Sequence, residues 1–582
     1  MVTAASFTAR LSLRCSSIFL DALFEAAKYG TVLSLGLSRN ALTNALSTAK
    51  NIHDTSPKRT KYTDIGLHIV SHTFSLAELF AISGLQFTSR TIQSSLKVAE
   101  ESVRIIDGIF GSNDTSRAIA SIITLVHREL VQDPEFGLAK AGKIAILAGL
   151  TKALTAFAVL QNVTHKRMMK HIPMTKKSSY RNNDMDNIMY YDHGWNFPQT
   201  HIVHNIAHFM RYASAAYGES FMRILGIGDI PTVLPNSHHH HPNHHAFAHH
   251  TGNSVEDILL SSYTNRSPLY LHNPSIHALV HYVTVDHAAK AIVLTCRGTL
   301  GLSDLLTDLS FDYTDFNLPS ESTKFFKAHS GMLDAAQLLA KEKGEVYQKI
   351  RQGLQSYPDY GLVMCGHSLG GGVASLLCVL WSQQIKRDQG NKRLPSFVTS
   401  NQSGLPAGRP IHCYAYGPPG VMSLELSNYC AGLVTSVVYG YDIVSSLSWG
   451  ILKDFKNIAT SLHTEADVAE EIIARVIGRM QEQNYKNEDE LNEDDQWFWA
   501  MIKTMRADMT AEKMYPPSIV YSIETIPHVK EQHKVVLYRC DDVQARFSEI
   551  VFSKTMFMDH SPLMYERAIK KLCRSFTESF SE

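Results

Sequence analysis

The stretch GLVMCGHSLGGGVASLLCVLWSQQIK, residues 361–386, constrains this chain more than any other. A short apolar run of strand length ends in Gly366-His367-Ser368-Leu369-Gly370, and apolar residues then recur at helical spacing. A G-x-S-x-G match alone arises by chance in roughly one chain in five of this length, so the strand before it and the helix after it carry its meaning. On a strand-to-helix turn too tight for flanking side chains, the serine hydroxyl projects above the sheet. The helix start that follows points backbone N–H groups at the place where an oxyanion would form. The sequence therefore nominates Ser368 as a nucleophile and the N–H of Leu369 as an oxyanion donor. The bland reading is a glycine-rich packing turn.

Downstream and upstream of this turn, strand-like and helix-like runs alternate: HALVHYVTVD, AIVLTCRG, IHCYAYG, LVTSVVYGYDIV, SIVYSIET, VVLYRC and a closing helix SPLMYERAIKKLCRSF. That alternation predicts an α/β sheet with helices on its faces over residues 195–582. Two excursions interrupt it, a polar loop KRDQGNKRLPSFVTSNQSGLPAGRP and a helical, acidic insertion at about 450–513 that contains NYKNEDELNEDDQWFWAM. Residues 1–175 read as a helical N-terminal region whose apolar faces pack on one another, on the next domain, or on a membrane.

Lys plus Arg and Asp plus Glu are equal at 55 each in 582 residues, so no global field recruits nucleic acid. The eight cysteines show neither a disulfide framework nor zinc spacing, and Cys296, Cys365 and Cys413 fall in apolar runs; this predicts a reducing, intracellular setting, cytoplasmic or at a membrane periphery. Asp21 and Glu25 interrupt the first apolar stretch, so neither a secretory signal nor a transmembrane helix is expected. A tract of eight histidines, His238 to His250, has no fixed ligand spacing with Cys, Asp or Glu and reads as a flexible polar loop rather than a metal site.

A serine hydroxyl needs a histidine to take its proton and an acid to orient that histidine. In hydrolases built on an elbow of this kind the order is Ser, then Asp or Glu, then His. Asp442, just beyond the run LVTSVVYGY, meets the rule that ligands gather at the carboxyl ends of strands. Asp454, Asp541 and Asp542 are the alternatives. His560 opens the final helix, whereas His528 and His533 fall in the polar link before KVVLYRC. The second oxyanion donor falls to Thr299, at the end of the run LTCRGT.

The ordered set CRGTLGLSDLLTDL, AHSGML, GHSLGGGVASLL, YAYGPPGV, YGYDIVSSLS, MYPPSIVYSIE and FMDHSPLMYERAI resembles the class 3 lipases, and within them the diacylglycerol lipase-like branch, over about residues 200–575. The resemblance implies an α/β-hydrolase fold, Ser368, Asp442 and His560 as triad, Thr299 and Leu369 as oxyanion positions, and Asp308 as a structural acid. It implies a serine lipase acting on glycerolipids at a membrane or lipid-droplet surface, with the sn-1 ester of diacylglycerol as target and no required cofactor. It also implies that the insertion between Asp442 and His560 gates the site; the competing reading of that insertion is a surface helical hairpin with no gating role. A phospholipase A1, another serine esterase, and a catalytically vestigial membrane-docking scaffold are the competing readings. Two departures stand out: Ser518 occupies a position commonly glycine in that branch, and DIVSSLS lacks the usual proline and arginine.

Overall fold

The apolar runs beyond residue 255 become the strands of one mixed sheet. In the computed structural model these are β1 (Ile258–Ser261), β2 (His281–Asp286), β3 (Ala291–Cys296), β4 (Gly361–His367), β5 (Ile411–Tyr416), β6 (Val434–Tyr439), β7 (Ile519–Ile526) and β8 (Lys534–Arg539). The structure describes residues 200–228, 230–231, 240–263, 279–299, 313–318, 325–385, 396–464, 493–526, 534–553 and 555–579, with positions of two further helical segments between 154 and 161 and between 471 and 475. The N-terminal helices read from residues 1–150, Asp308, His528, His533, His238, His239 and most of the amphipathic run 466–483 that carries the gating expectation lie outside the described residues.

The chain divides into two compact units, Lys170–Leu452 with Ala511–Glu582, and Met1–Met169 with Lys453–Thr510. In the first, the eight strands lie side by side in the order in which the chain makes them. β3 through β7 pair in parallel, while β1 with β2, β2 with β3, and β7 with β8 are antiparallel. Every residue of β3 is buried, as a strand covered on both faces requires.

The covering helices are α1 (Thr200–Ala215), α2 (Pro242–Thr251), α3 (Ser330–Leu339), α4 (Glu345–Ser356), α5 (Leu369–Trp381) and, after α6 (Trp449–Thr464) and α7 (Glu493–Ala507), α8 (Pro562–Ser579). One face joins Val203 and Ile206 of α1, Phe247 of α2 and Ile569 and Leu572 of α8 to Val293, Cys365, Tyr416 and Val437 of the sheet. On the other, α4 comes so close that a Cβ on Gly353 would meet Ile292 at 2.9 Å. This mixed sheet, parallel at its centre and entered by a strand–turn–helix at Ser368, is an α/β-hydrolase fold.

Three local readings are corrected. The histidine tract is no flexible loop where it is described: Pro242 starts α2, the His241 ring caps it by accepting from Asn243 N–H, and Gly252 ends it in the left-handed conformation. Ala246, Phe247 and Ala248 are buried, and Phe247 stacks on Tyr282 at 4.1 Å. Burial of His244, with its histidine neighbours adding to the effect, lowers its pKa to about 4 while its Nε2 lies 2.5 Å from Ser261 Oγ. The apolar pair under the histidines, not the histidines, decides the local structure. Second, the polar loop contains a strand, Ser396–Thr399, that pairs antiparallel with Ser382–Ile385. Third, the sheet opens one strand earlier than the run HALVHYVTVD, with β1, which is only four residues long.

Among the described residues of the second unit, Phe157 meets Phe455 edge-on at 6.1 Å, Ile472, Phe498, Ile502 and Met505 are buried, and Arg475 lies 4.4 Å over the Trp497 ring. Among the described residues no helix is long and apolar enough to cross a membrane.

Ser518, the departure from glycine, holds φ at +61°. Its hydroxyl donates to Cys430 O at 2.6 Å and its N–H donates to Ser427 Oγ at 2.8 Å. A left-handed non-glycine residue costs about 1–2 kcal/mol, and one hydrogen bond returns about 1 kcal/mol. Ser518→Gly is therefore expected to stay within about 0.5 kcal/mol of the unaltered protein, because both terms vanish together. Ser518→Ala keeps the strain, loses the bond, and is expected to cost about 1–2 kcal/mol in urea unfolding.

Candidate active site

The parallel strands end along one edge. Cys296 pairs with Gly366, His367 with Tyr416, and Tyr416 with Val437, so the residues that follow β3, β4, β5 and β6 emerge together. Those residues are Thr299, Ser368, Gly417 and Asp442.

Ser368 leaves β4 with φ +58° and ψ −132° and starts α5. A non-glycine residue in such a conformation stores about 1–3 kcal/mol and persists only where its surroundings fix it. Here Ser368 N–H donates to Tyr416 O at 2.8 Å, and the flanking glycines admit the neighbouring backbone. A Cβ on Gly366 would fall 2.5 Å from the Gly370 carbonyl carbon and 2.6 Å from Cys296 O, and one on Gly370 would strike Cys296 O.

Ser368 Oγ lies 2.9 Å from His560 Nε2, and His560 Nδ1 lies 2.9 Å and 3.0 Å from the two oxygens of Asp442. The three side chains come from positions 192 and 118 residues apart. Asp442 is 1% exposed. Three donors converge on it: His560 Nδ1, the Tyr565 hydroxyl at 2.6 Å and Val444 N–H at 2.9 Å. An ionised carboxylate is an acceptor only, so this environment suits the charged form and assigns the imidazole proton to Nδ1. Nε2 is then free to accept from Ser368. Of the alternatives, Asp454 is buried on α6, Asp541 is exposed and Asp542 caps a short helix through Ala545 N–H; the carboxylate bonded to His560 is that of Asp442.

The two residues expected to supply oxyanion donors flank the elbow. Leu369 N–H is the first of α5 and has no acceptor within the helix. A Cβ on Gly298 would lie 2.8 Å from Ser368 Cβ, so the backbone leading to Thr299 crosses directly over the elbow. The Thr299 hydroxyl is buried with no hydrogen-bond partner among the described residues.

Sequence reasoning missed four contributors. Tyr565, on the first turn of α8, donates to Asp442 and accepts from Tyr439 N–H at 3.1 Å. His367 packs at a tilt against His560, 4.7 Å between ring centres, and burial, then the adjacent imidazole, holds it neutral well below the ordinary histidine value. The Tyr217 hydroxyl lies 2.8 Å from His367 Nδ1, tying the chain after α1 to the elbow. Gly417 holds φ +53° beneath the acid–base pair. A tyrosine five residues after the base and a glycine closing β5 were the available signals.

Residues 293–450 match the family Lipase (class 3). The chain is 26% identical over 274 residues to diacylglycerol lipase-beta of Mus musculus, covering 44% of this chain and 35% of that protein. It is 25% identical over 319 residues to diacylglycerol lipase-alpha of Homo sapiens, covering 52% and 28%. A lipase of Rhizopus niveus is 30% identical over 140 residues, covering 24% and 33%. The chain thus spans about a third of the length of these relatives. The solved structure of the native Rhizomucor miehei lipase propeptide complex overlaps 67% of this chain and 91% of its own, with 16% identity and a TM-score of 0.33; the fold assignment rests on the topology above.

A Cβ on Gly417 would fall 2.7 Å from Asp442 Oδ2, 2.9 Å from the Tyr565 hydroxyl and 3.2 Å from His560 Nδ1. Gly417→Ala is expected to lower esterase kcat by about 100-fold through misplacement of the base. Gly408→Ala, also at positive φ but with nothing within 4 Å of the new atom, is expected to lose stability and keep kcat. Equal kcat in the two purified variants would contradict this.

Proposed function

The region that carries these residues is a class 3 lipase domain of the diacylglycerol lipase-like branch, and on that premise we propose that the protein is a serine lipase that hydrolyses carboxylic esters of glycerolipids, the sn-1 ester of diacylglycerol being its target. The observation that carries this reading is the relay of Ser368 Oγ, His560 and Asp442 at 2.9 Å per step, at the end of a parallel strand and the start of a helix.

In the reaction, His560 Nε2 takes the proton as Ser368 Oγ attacks the ester carbonyl. The negative charge that develops on the carbonyl oxygen meets the N–H of Leu369 and the Thr299 residue, in a water-poor site where such donors act strongly. The imidazolium is stabilised through Nδ1 by Asp442, then gives its proton to the departing glyceride oxygen. That leaves an acyl group on Ser368. Water, deprotonated by the same Nε2, attacks the acyl-enzyme, and collapse releases the fatty acid and restores the serine. Each step uses side chains, backbone N–H groups and water. A lipid surface is the place of action that a glycerolipid substrate implies.

Diacylglycerol with different acyl chains at the two positions tests the reading. The protein is expected to release the sn-1 chain, and Ser368→Ala is expected to lower that release by about 10⁴-fold or more. Release of the sn-1 chain of a phospholipid instead would assign the phospholipase alternative. A folded, unaltered protein with no Ser368-dependent release from any glycerolipid would favour the scaffold.

A further inference from the structure

A second buried carboxyl lies beside the catalytic pair and takes no part in the steps above. Asp559 precedes His560 in the single turn Met558–His560 and is 5% exposed. Its Oδ2 accepts from Tyr441 N–H at 2.8 Å and from the Thr555 hydroxyl at 3.0 Å. A Cβ on Gly440, which holds φ +53°, would fall 2.5 Å from that oxygen, so a side chain there would exclude the contact. Gly440 O in turn accepts from Arg546 Nη2 at 3.0 Å, and Ile443 N–H donates to Met556 O at 3.2 Å. The loop carrying the acid and the turn carrying the base are therefore joined at three points: Asp442 to His560, Ile443 to Met556, and Tyr441 to Asp559.

We propose that Asp559 is a positioning residue whose ionised carboxylate clamps the Asp442 loop to the His560 turn, setting the imidazole toward Ser368, so that turnover follows the ionisation of the clamp as well as that of the base. The proposal rests on the serine-hydrolase reading. A charged acceptor makes these bonds about twice as strong as a neutral one. Burial pushes the Asp559 carboxyl up to about 6 against the pull of its two donors, and the charge of Asp442 adds to the rise. The other charged or titratable groups around it are His560 on its own turn, Tyr441 and Arg546 at the strand exit, with the guanidinium 5.9 Å over the tyrosine ring, and Tyr565 on α8.

The sign of the linkage separates a positioning role from a merely structural one. A carboxyl raised in the folded state holds its proton more tightly than in the unfolded chain, so its contribution to stability is full below the ordinary carboxylate range and is lost as pH rises through about 6. The clamp strengthens in the opposite direction. Asp559 thus costs stability in the range where it supports rate.

Asp559→Asn keeps the shape and fixes the neutral state. With a soluble short-chain ester and active sites counted by a fluorophosphonate, kcat of this variant at about pH 8 is expected to fall about 10-fold with KM unchanged. Its acid limb should simplify to one ionisation, while its thermal midpoint at the same pH stays equal to or above that of the unaltered protein. Thr555→Val removes one donor, and its acid limb is expected to move to higher pH. Unaltered kcat and acid limb in Asp559→Asn, a drop in kcat matched by a drop in thermal midpoint, or an unmoved limb in Thr555→Val would each overturn the clamp. Absence of fluorophosphonate labelling in the unaltered protein would overturn the serine-hydrolase reading, and the clamp with it.

Discussion

The buried carboxylate of Asp442 is the constraint around which the catalytic end of this molecule is arranged. A charge 1% exposed is costly to bury unless donors replace its water, and here they come from three segments: His560, Tyr565 of α8 and Val444 of its own loop. Satisfying the charge requires α8 to lie against the sheet, which the apolar side chains Ile569 and Leu572 provide by joining the buried cluster that holds Val437 of β6 and Leu537 of β8. It also requires the chain after β5 to pass without a side chain, which Gly417 provides. Removing one donor leaves the charge in place and the remaining geometry under strain.

The same logic governs the elbow. Ser368 sits in a backbone conformation that its own residue type disfavours, and the sheet holds it there through Tyr416 O on one side and the Cys296–Gly298 backbone on the other. The segment from 200 to 251, upstream of the matched family region, joins this framework: Tyr416 donates to Ile206 O at 2.6 Å, and Tyr217 reaches His367. At the far end of the sheet, Asp286 accepts from Tyr212 at 2.7 Å and lies 2.5 Å from His208 Nε2, pinning α1 to β2. The helices before β1 are therefore structural partners of the site.

What could be read in the sequence was what local chemistry specifies. AIVLTC and GLVMCG are continuous apolar runs because both faces are covered, and Gly366 and Gly370 bracket Ser368 because the turn allows nothing larger. Chain order then nominated Asp442 and His560, which the fold brings within hydrogen-bond distance. Asp559 and Tyr217 were not legible, since each acts through a contact more than 100 residues away in sequence and carries no local signature, and Tyr565 offered only its spacing from the base. The histidine tract misled because its composition is extreme while the residues that determine its helix, Pro242, Phe247 and Gly252, are ordinary.

In the proposed reaction Asp442 makes Ser368 a nucleophile by orienting His560. The rate at which a fluorophosphonate labels Ser368 in the unaltered protein and in Asp442→Asn, both verified as folded by circular dichroism, tests it without reference to any lipid substrate. The amide cannot accept the Nδ1 proton in the same way, so labelling is expected to slow by about 10³–10⁴-fold. Labelling of folded Asp442→Asn at the unaltered rate would contradict the account.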